Sequence, residues 1–170
     1  MSRYGGFGSV VSRLYKMKSI VFCASQRFKK ELEEYIVQLK SLAHGHNINP
    51  VILSPEFEFD DVPDDFYLLA EEDRLKNKQY RQIIITKVYD HLFRKIRVAD
   101  TCFIFNKEGY MGPNVIGELF TAAALGKIIY SLDEKCLTGK YPDGLHEEPC
   151  CRGLIHQVIS TPEELIRYLA

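Results

Sequence analysis

The chain has no excess of either charge and no long apolar run. Its 170 residues include 22 lysines and arginines against 23 aspartates and glutamates, which gives a net charge of -1. Nonspecific binding to nucleic acid polymers or to membrane surfaces favours a basic excess, so neither partner is expected. The sequence also lacks a stretch of about 18 apolar residues, which argues against a transmembrane helix.

The arrangement of the cysteines predicts no disulfide framework. The five cysteines are odd in number, and Cys23 and Cys102 fall within apolar runs where buried free thiols are common. The adjacent pair Cys150-Cys151, with His146 and His156 nearby, lacks the spacing of two to four residues that zinc ligands favour. The sequence therefore predicts no metal site, no cofactor and a reducing, cytoplasmic location.

Three common glycine-containing motifs are missing as well. The chain has no GxxxxGK[ST] loop, no GxGxxG between a strand and a helix, and no GxSxG elbow. The glycines at 5–8 precede the first apolar run, and the stretch around them lacks the apolar core of a secretion signal. We therefore expect residues 1–16 to be a flexible leader and residues 17–170 to form a single domain.

Short apolar segments alternate with helical patterns along that domain. Strands are predicted at 19–24, 50–54, 101–105, 128–132 and 155–159. Helices are predicted at 26–42, around Ile84, Val88, Leu92 and Ile96, at 114–125, and at the C-terminus up to 170. This order predicts an α/β protein with a parallel sheet between two layers of helices.

Two segments are predicted as loops. Residues 56–65 are acidic and aromatic, which is typical of a loop or lid, and the same composition would suit a contact surface in a larger assembly or the edge of a dimer. Residues 133–152 carry three of the five cysteines.

Polar residues follow the first predicted strand. Parallel sheets bind ligands beyond the carboxyl ends of their strands, so the loops after these strands should converge on one site. Ser25 and Arg27 follow the first strand and start a helix. A hydroxyl, free N–H groups and a guanidinium suit a phosphate or a ribose 5′-hydroxyl. The alternative is that Ser25 only caps the helix and Arg27 lies in solvent.

The turn from Asn106 to Glu118 is the most informative segment. A glycine-rich turn lets the backbone approach a ligand, and a helix start supplies unpaired N–H groups. Glu118 stands in an apolar stretch, and a carboxylate buried there without partners costs several kcal/mol. Glu118 is therefore a candidate nucleophile or ligand anchor, unless it points into water. Asp100, just before a strand and downstream of His91 and Arg97, is a further candidate or a simple cap.

Together these segments resemble the nucleoside 2-deoxyribosyltransferase-like superfamily, whose members cleave or transfer N-glycosidic bonds. The resemblance spans roughly residues 18–170 and is carried by residues 22–27, 96–105 and 112–127. It implies a flavodoxin-like (Rossmann-like) five-stranded parallel sheet with helices on both faces. It also implies an enzyme that acts on a small-molecule nucleoside or nucleotide.

The resemblance assigns roles to particular residues. Glu118 would be the nucleophile that forms a covalent glycosyl-enzyme. The helix N-terminus favours its ionised form and offsets some of the desolvation. Asp100 would protonate or position the base, and Tyr110 would stack on the base or contact the nucleophile. Ser25 and Arg27 would hold the 5′ end of the sugar, which makes a 5′-monophosphate plausible as substrate.

The same turn departs from the family at one position. Gly112 and Asn114 lie where substrate or phosphate contacts are expected, but family transferases often carry an aspartate at the position of Gly112. Its loss makes hydrolysis of a nucleotide's glycosidic bond, or binding by a non-catalytic nucleotide-binding module, more competitive with transfer. The family also implies a homo-oligomer, a dimer or higher.

Overall fold

The computed structural model describes residues 18–57, 66 and 71–170. The predicted leader at 1–16 and most of the acidic, aromatic segment at 56–65 lie outside the described residues. Within the described part, no helix is long and apolar enough to cross a membrane.

The strands of the described residues are β1 (Ser19–Ala24), β2 (Val51–Leu53), β3 (Thr101–Phe105), β4 (Ile128–Ser131), β5 (Leu137–Lys140), β6 (Gly144–Glu147) and β7 (Gln157–Val158). Five of them are parallel and form the central sheet, in the order β2-β1-β3-β4-β7. This strand order confirms the flavodoxin-like sheet, although its two edge strands are shorter than predicted.

Helices follow the strands in the predicted positions. The helices of the described residues are α1 (Lys29–Gly45), α2 (Glu71–Arg74), α3 (Lys78–Asp90), α4 (Pro113–Ala124), α5 (Pro149–Arg152) and α6 (Pro162–Leu169). A short 3₁₀ turn at Gln26–Phe28 leads into α1, and α3 continues into a π-helical segment at His91–Ile96. Of the four residues predicted to form the packed face of the long helix, Ile96 is fully buried and the others are half-buried.

Side chains of β1 alternate between two separate cores. Phe22 packs in the layer that holds α1 and α6, and its ring centroid lies 5.1 Å from that of Phe103. Val21 and Cys23 point to the opposite layer, with Ile96 and with Leu119 of α4. Successive side chains of a strand face opposite ways, so β1 contributes to a core on each face of the sheet. Helices cover both faces, as predicted.

The prediction of a plain loop at residues 133–152 was wrong. Strands β5 and β6 form an antiparallel hairpin, and α5 follows it. The hairpin is joined to the turn after β3, because the Met111 backbone N–H donates to the Leu137 carbonyl at 2.8 Å. The segment is short and polar, so its strand character depends on this long-range contact rather than on its own pattern.

Two glycines of the Asn106–Glu118 segment give opposite predictions for substitution by alanine. Gly109 has φ +76°, and a Cβ there would lie 2.7 Å from the Lys135 Cβ. We expect Gly109→Ala to lower the free energy of unfolding by roughly 1–3 kcal/mol, because it adds both a clash and backbone strain.

Gly117 lies within α4, and a Cβ there would meet no heavy atom within 4 Å. Gly117→Ala is therefore the matched control, and it should raise the free energy of unfolding by about 0.5–1 kcal/mol. Urea unfolding of the two variants measures both values. Equal effects of the same sign would contradict the described conformation of the turn.

Candidate functional site

The candidate site lies where the strand order reverses, at the ends of β1 and β3. Ligands of open α/β sheets bind in the crevice at this point, outside the carboxyl ends of the strands. The loop after β1 contributes residues 25–28, and the turn after β3 contributes residues 106–112. We call this region the carboxyl edge.

The loop after β1 presents Ser25 and Arg27. Ser25 caps the 3₁₀ turn, and its Oγ accepts a hydrogen bond from the Arg27 backbone N–H at 3.4 Å. Arg27 is exposed, but its guanidinium carbon lies 4.4 Å from the ring centroid of Tyr141, within cation–π range. The Arg27 head group is thus held over an aromatic ring at the carboxyl edge rather than extending into solvent alone.

Tyr110 forms an aromatic cluster with residues from two other segments. Its ring centroid lies 6.2 Å from that of Phe28 and 5.2 Å from that of Tyr141, and only 7% of the residue is exposed. The Tyr110 hydroxyl lies 3.6 Å from the position that a Cβ of Gly112 would occupy. Tyr110 is therefore fixed by packing, while its hydroxyl points toward the start of α4.

Gly112 and Asn114 lie at the N-terminus of α4. Gly112 is the buried N-cap residue, and a Cβ there would be 3.9 Å from the Ser25 Oγ as well as close to the Tyr110 hydroxyl. Asn114 is exposed in the first turn of the helix. The hydroxyls of Ser25 and Tyr110 and the first N–H groups of α4 therefore border one small volume. This volume stays open because Gly112 has no side chain.

Two residues of the carboxyl edge were missed by the sequence reasoning. Tyr141, from the β5–β6 hairpin, supports Arg27 and donates a hydrogen bond from its hydroxyl to the Glu108 carboxylate. Nothing in the local pattern of the hairpin indicates this role.

Asn106 is the second missed residue. Its Nδ2 donates to the carbonyls of Asp133 and Lys135, and its Oδ1 accepts from the backbone N–H groups of Leu132 and Asp133. It is fully buried. An asparagine directly after a buried strand was the available signal, since a side-chain amide can pair with a neighbouring loop.

Glu118 lies inside the protein rather than at the carboxyl edge itself. It faces the core from α4, is 6% exposed, and its Oε2 has no hydrogen-bond partner among the described residues. Its Oε1 lies 4.0 Å from the His91 Nε2, which in turn lies 3.6 Å from the Cys23 Sγ. The Cys102 Sγ is 3.5 Å from that of Cys23. We call Cys23, His91, Cys102 and Glu118 the buried polar cluster.

Desolvation outweighs the helix N-terminus in its effect on the protonation of Glu118. Burial raises the pKa of Glu118 to about 8, and burial also lowers the pKa of His91 to about 4. The helix dipole acts within the first turn, whereas Glu118 is the sixth residue of α4, so desolvation dominates. Both groups are therefore mainly uncharged at neutral pH.

Asp100 lies at the opposite edge of the sheet, so its expected role beside the base does not fit the structure. Its Oδ2 accepts hydrogen bonds from the Ser19 backbone N–H at 3.0 Å and from the Ser19 hydroxyl at 2.8 Å. Ser19 begins β1 and Cys23 lies four residues along it, about 13 Å away at the rise of a strand. Asp100 thus joins the starts of β1 and β3.

A separate cleft of about 460 Å³ lies beside the hairpin. Its walls carry both signs of charge and share no residue with the carboxyl edge or the buried polar cluster. It is lined by Glu134, Lys135, Leu137, Glu147 and Arg152.

Comparison with known proteins relates the chain to others at the level of the fold. No protein-family model matches it, and no curated protein matches its sequence. A conserved protein from Enterococcus faecalis V583 is similar with a TM-score of 0.53 and 13% identity, over 90% of this chain and 97% of that one. A 2-deoxyribosyltransferase from Bacillus psychrosaccharolyticus gives a TM-score of 0.49 and 14% identity, over 86% of this chain and 89% of that one.

The raised pKa of Glu118 predicts how stability depends on pH. Between its ordinary value of 4.5 and about 8, the folded protein binds a proton at Glu118 that the unfolded chain has released, so stability falls as pH rises. His91 acts in the opposite sense below its ordinary value of 6.5, because its folded pKa is about 4. The net loss of folding stability with rising pH should therefore appear between about pH 6.5 and 8.

We expect the wild type to lose about 2 kcal/mol of unfolding free energy over this interval relative to Glu118→Gln. Urea unfolding at a series of pH values, in buffer containing a chelator, measures the difference. Parallel pH profiles for the two proteins would show that Glu118 titrates normally.

Proposed function

We propose that the protein cleaves or transfers the N-glycosidic bond of a nucleoside or nucleoside 5′-monophosphate, with Glu118 as the nucleophile. The observation that carries this proposal is the placement of Glu118. Its carboxyl group is buried, one of its oxygens has no hydrogen-bond partner within the described part of the chain, and it belongs to the helix that follows the turn at the carboxyl edge. A buried polar group without a hydrogen-bond partner costs free energy of folding. A catalytic role for Glu118 would explain why the protein keeps it there.

The proposed chemistry uses the carboxylate form of Glu118. One oxygen bonds to the anomeric carbon as the bond to the base nitrogen breaks, and the base leaves with the electron pair and takes up a proton from water. Water then displaces the sugar in hydrolysis, or a second base displaces it in transfer. The sugar carries positive charge in the transition state. This charge favours the ionised form of Glu118, and the carboxylate stabilises it strongly because the site is buried.

The proposed substrate site uses the groups of the carboxyl edge. The hydroxyls of Ser25 and Tyr110 and the first N–H groups of α4 suit a phosphate or a 5′-hydroxyl, and the space at Gly112 admits it. Arg27 supplies a cation that can pair with phosphate through two N–H groups, while Tyr141 holds it in place. These contacts favour a 5′-monophosphate over a nucleoside.

A non-catalytic nucleotide-binding module is the second candidate. Cys23 and His91 pack against Glu118 and leave it only 6% exposed. In this case the carboxyl edge binds the nucleotide, and Glu118 never reaches the sugar.

Release of free base from a panel of nucleosides and 5′-monophosphates tests the enzyme. We expect the wild type to release base from at least one substrate and Glu118→Gln to be slower by at least about a thousandfold, because the nucleophile is lost. Chromatography of the reaction measures the base, and Glu134→Gln, at an exposed carboxylate, is the control. Unchanged release by Glu118→Gln would reject the nucleophile, and nucleotide binding without release would favour the binding module.

The role of Arg27 is tested by the difference between two substrate classes. Arg27→Ala should weaken the binding of 5′-monophosphates by at least about tenfold, because charge-assisted hydrogen bonds to phosphate contribute roughly 1.5–3 kcal/mol. Nucleoside binding should change little. Calorimetric titration measures both, and Arg97→Ala is the control, since Arg97 is also exposed but lies near the opposite edge. Equal losses of affinity for monophosphates and nucleosides would reject a contact between Arg27 and phosphate.

A further inference from the structure

We propose that Cys23, His91 and Glu118 form a binding site for one zinc ion in the core of the protein. The three side chains come from β1, from the π-helical segment and from α4, and all are buried. This inference goes beyond the proposed function, in which Glu118 acts without a metal.

The geometry of the three ligand atoms matches the space around one ion. The Cys23 Sγ, the His91 Nε2 and a carboxylate oxygen of Glu118 lie within 4.8 Å of one another. The distance from Sγ to Nε2 is 3.6 Å, and that from Nε2 to Oε1 is 4.0 Å. Ligand atoms at ordinary zinc distances in a tetrahedral site are about 3.3–3.8 Å apart. Two of the three separations are already within a few tenths of an ångström of this range, and side-chain shifts of up to about 1 Å would close the site.

The hydrogen bonding of the cluster is incomplete without a ligand. The Oε2 of Glu118 and the Nδ1 of His91 are buried and have no partner among the described residues. Buried polar atoms are rarely left in this state, because each unpaired atom costs free energy. A cation bound through Oε2 or through both carboxylate oxygens would engage the unpaired oxygen of Glu118 and account for its burial, whereas an ion held by Nε2 of His91 would not contact Nδ1.

The charges and donor types select zinc. A thiolate and a carboxylate together carry two negative charges, which balance a divalent ion and leave the core neutral when the imidazole is uncharged. Sulfur and imidazole donors suit zinc, whereas magnesium and calcium prefer oxygen alone. The Cys102 Sγ, 3.5 Å from that of Cys23, can donate a hydrogen bond to the Cys23 thiolate.

Zinc binding would oppose the proposed function. A carboxylate bound to the ion cannot attack a sugar, so added Zn²⁺ should suppress base release and a chelator should restore it. The two proposals remain distinguishable, since metal binding is measured without any substrate and base release is measured in the presence of chelator.

The test starts from full-length protein freed of metal by a chelator. Titration with Co²⁺ should produce the charge-transfer absorption of a cobalt–thiolate bond, saturate at one ion per chain, and disappear when Zn²⁺ is added. Cys23→Ser and His91→Gln should each weaken Zn²⁺ binding by at least about tenfold, since even partners outside the ligand set cost 10–100-fold. Equilibrium dialysis with metal analysis measures the affinity.

Two controls keep the outcome clear. Cys136→Ser alters another buried cysteine outside the cluster and should bind Zn²⁺ like the wild type. Every protein tested also carries Cys150→Ser, which removes the exposed thiol. Circular dichroism checks that each variant is folded, and Glu118→Gln serves as a near-isosteric alternative if Cys23→Ser does not fold. Absence of one-to-one binding in the wild type, or binding that is unchanged in the cluster variants, would overturn the proposal.

Discussion

The side-chain amide of Asn106 holds the carboxyl edge of the sheet together. Its four hydrogen bonds join the end of β3 to the loop after β4, and it is fully buried, so each of its polar groups is satisfied inside the protein. The turn that begins beside it leads directly to Tyr110, to the open space at Gly112 and to α4. Without this junction, the start of the turn after β3 would lose its attachment to the loop after β4.

Most of the fold could be predicted from the sequence, whereas the candidate site could be predicted only in part. Apolar runs such as residues 101–105 are buried on both faces of the sheet, so local composition identifies them. The partners of Glu118 could not be found in this way, because Cys23, His91 and Glu118 are distant in sequence and meet only through packing. The same reason explains why Tyr141, on a hairpin predicted as a loop, was missed.

Burial connects the chemistry of Glu118 with that of its neighbours. Desolvation disfavours the charged form of the carboxyl group and of the imidazole alike, and the geometry offers two ways to offset that cost. One is the positive charge of a sugar during cleavage of its glycosidic bond, and the other is a divalent ion. Both require that something positive enter the same small volume next to α4, so the two uses of Glu118 exclude each other at any moment.

The side chains of β1 alternate between two cores, and this alternation affects how the sequence can change over evolutionary time. Phe22 belongs to the core with α1 and α6, while Cys23 belongs to the core with α4. Substitutions more than about 7–10 Å apart without shared partners usually combine additively, as do many pairs on opposite faces of the sheet, whereas residues in contact are coupled. Residues around Glu118 can therefore diverge as a group while the other core keeps its stability, which gives one fold two largely independent sets of mutations.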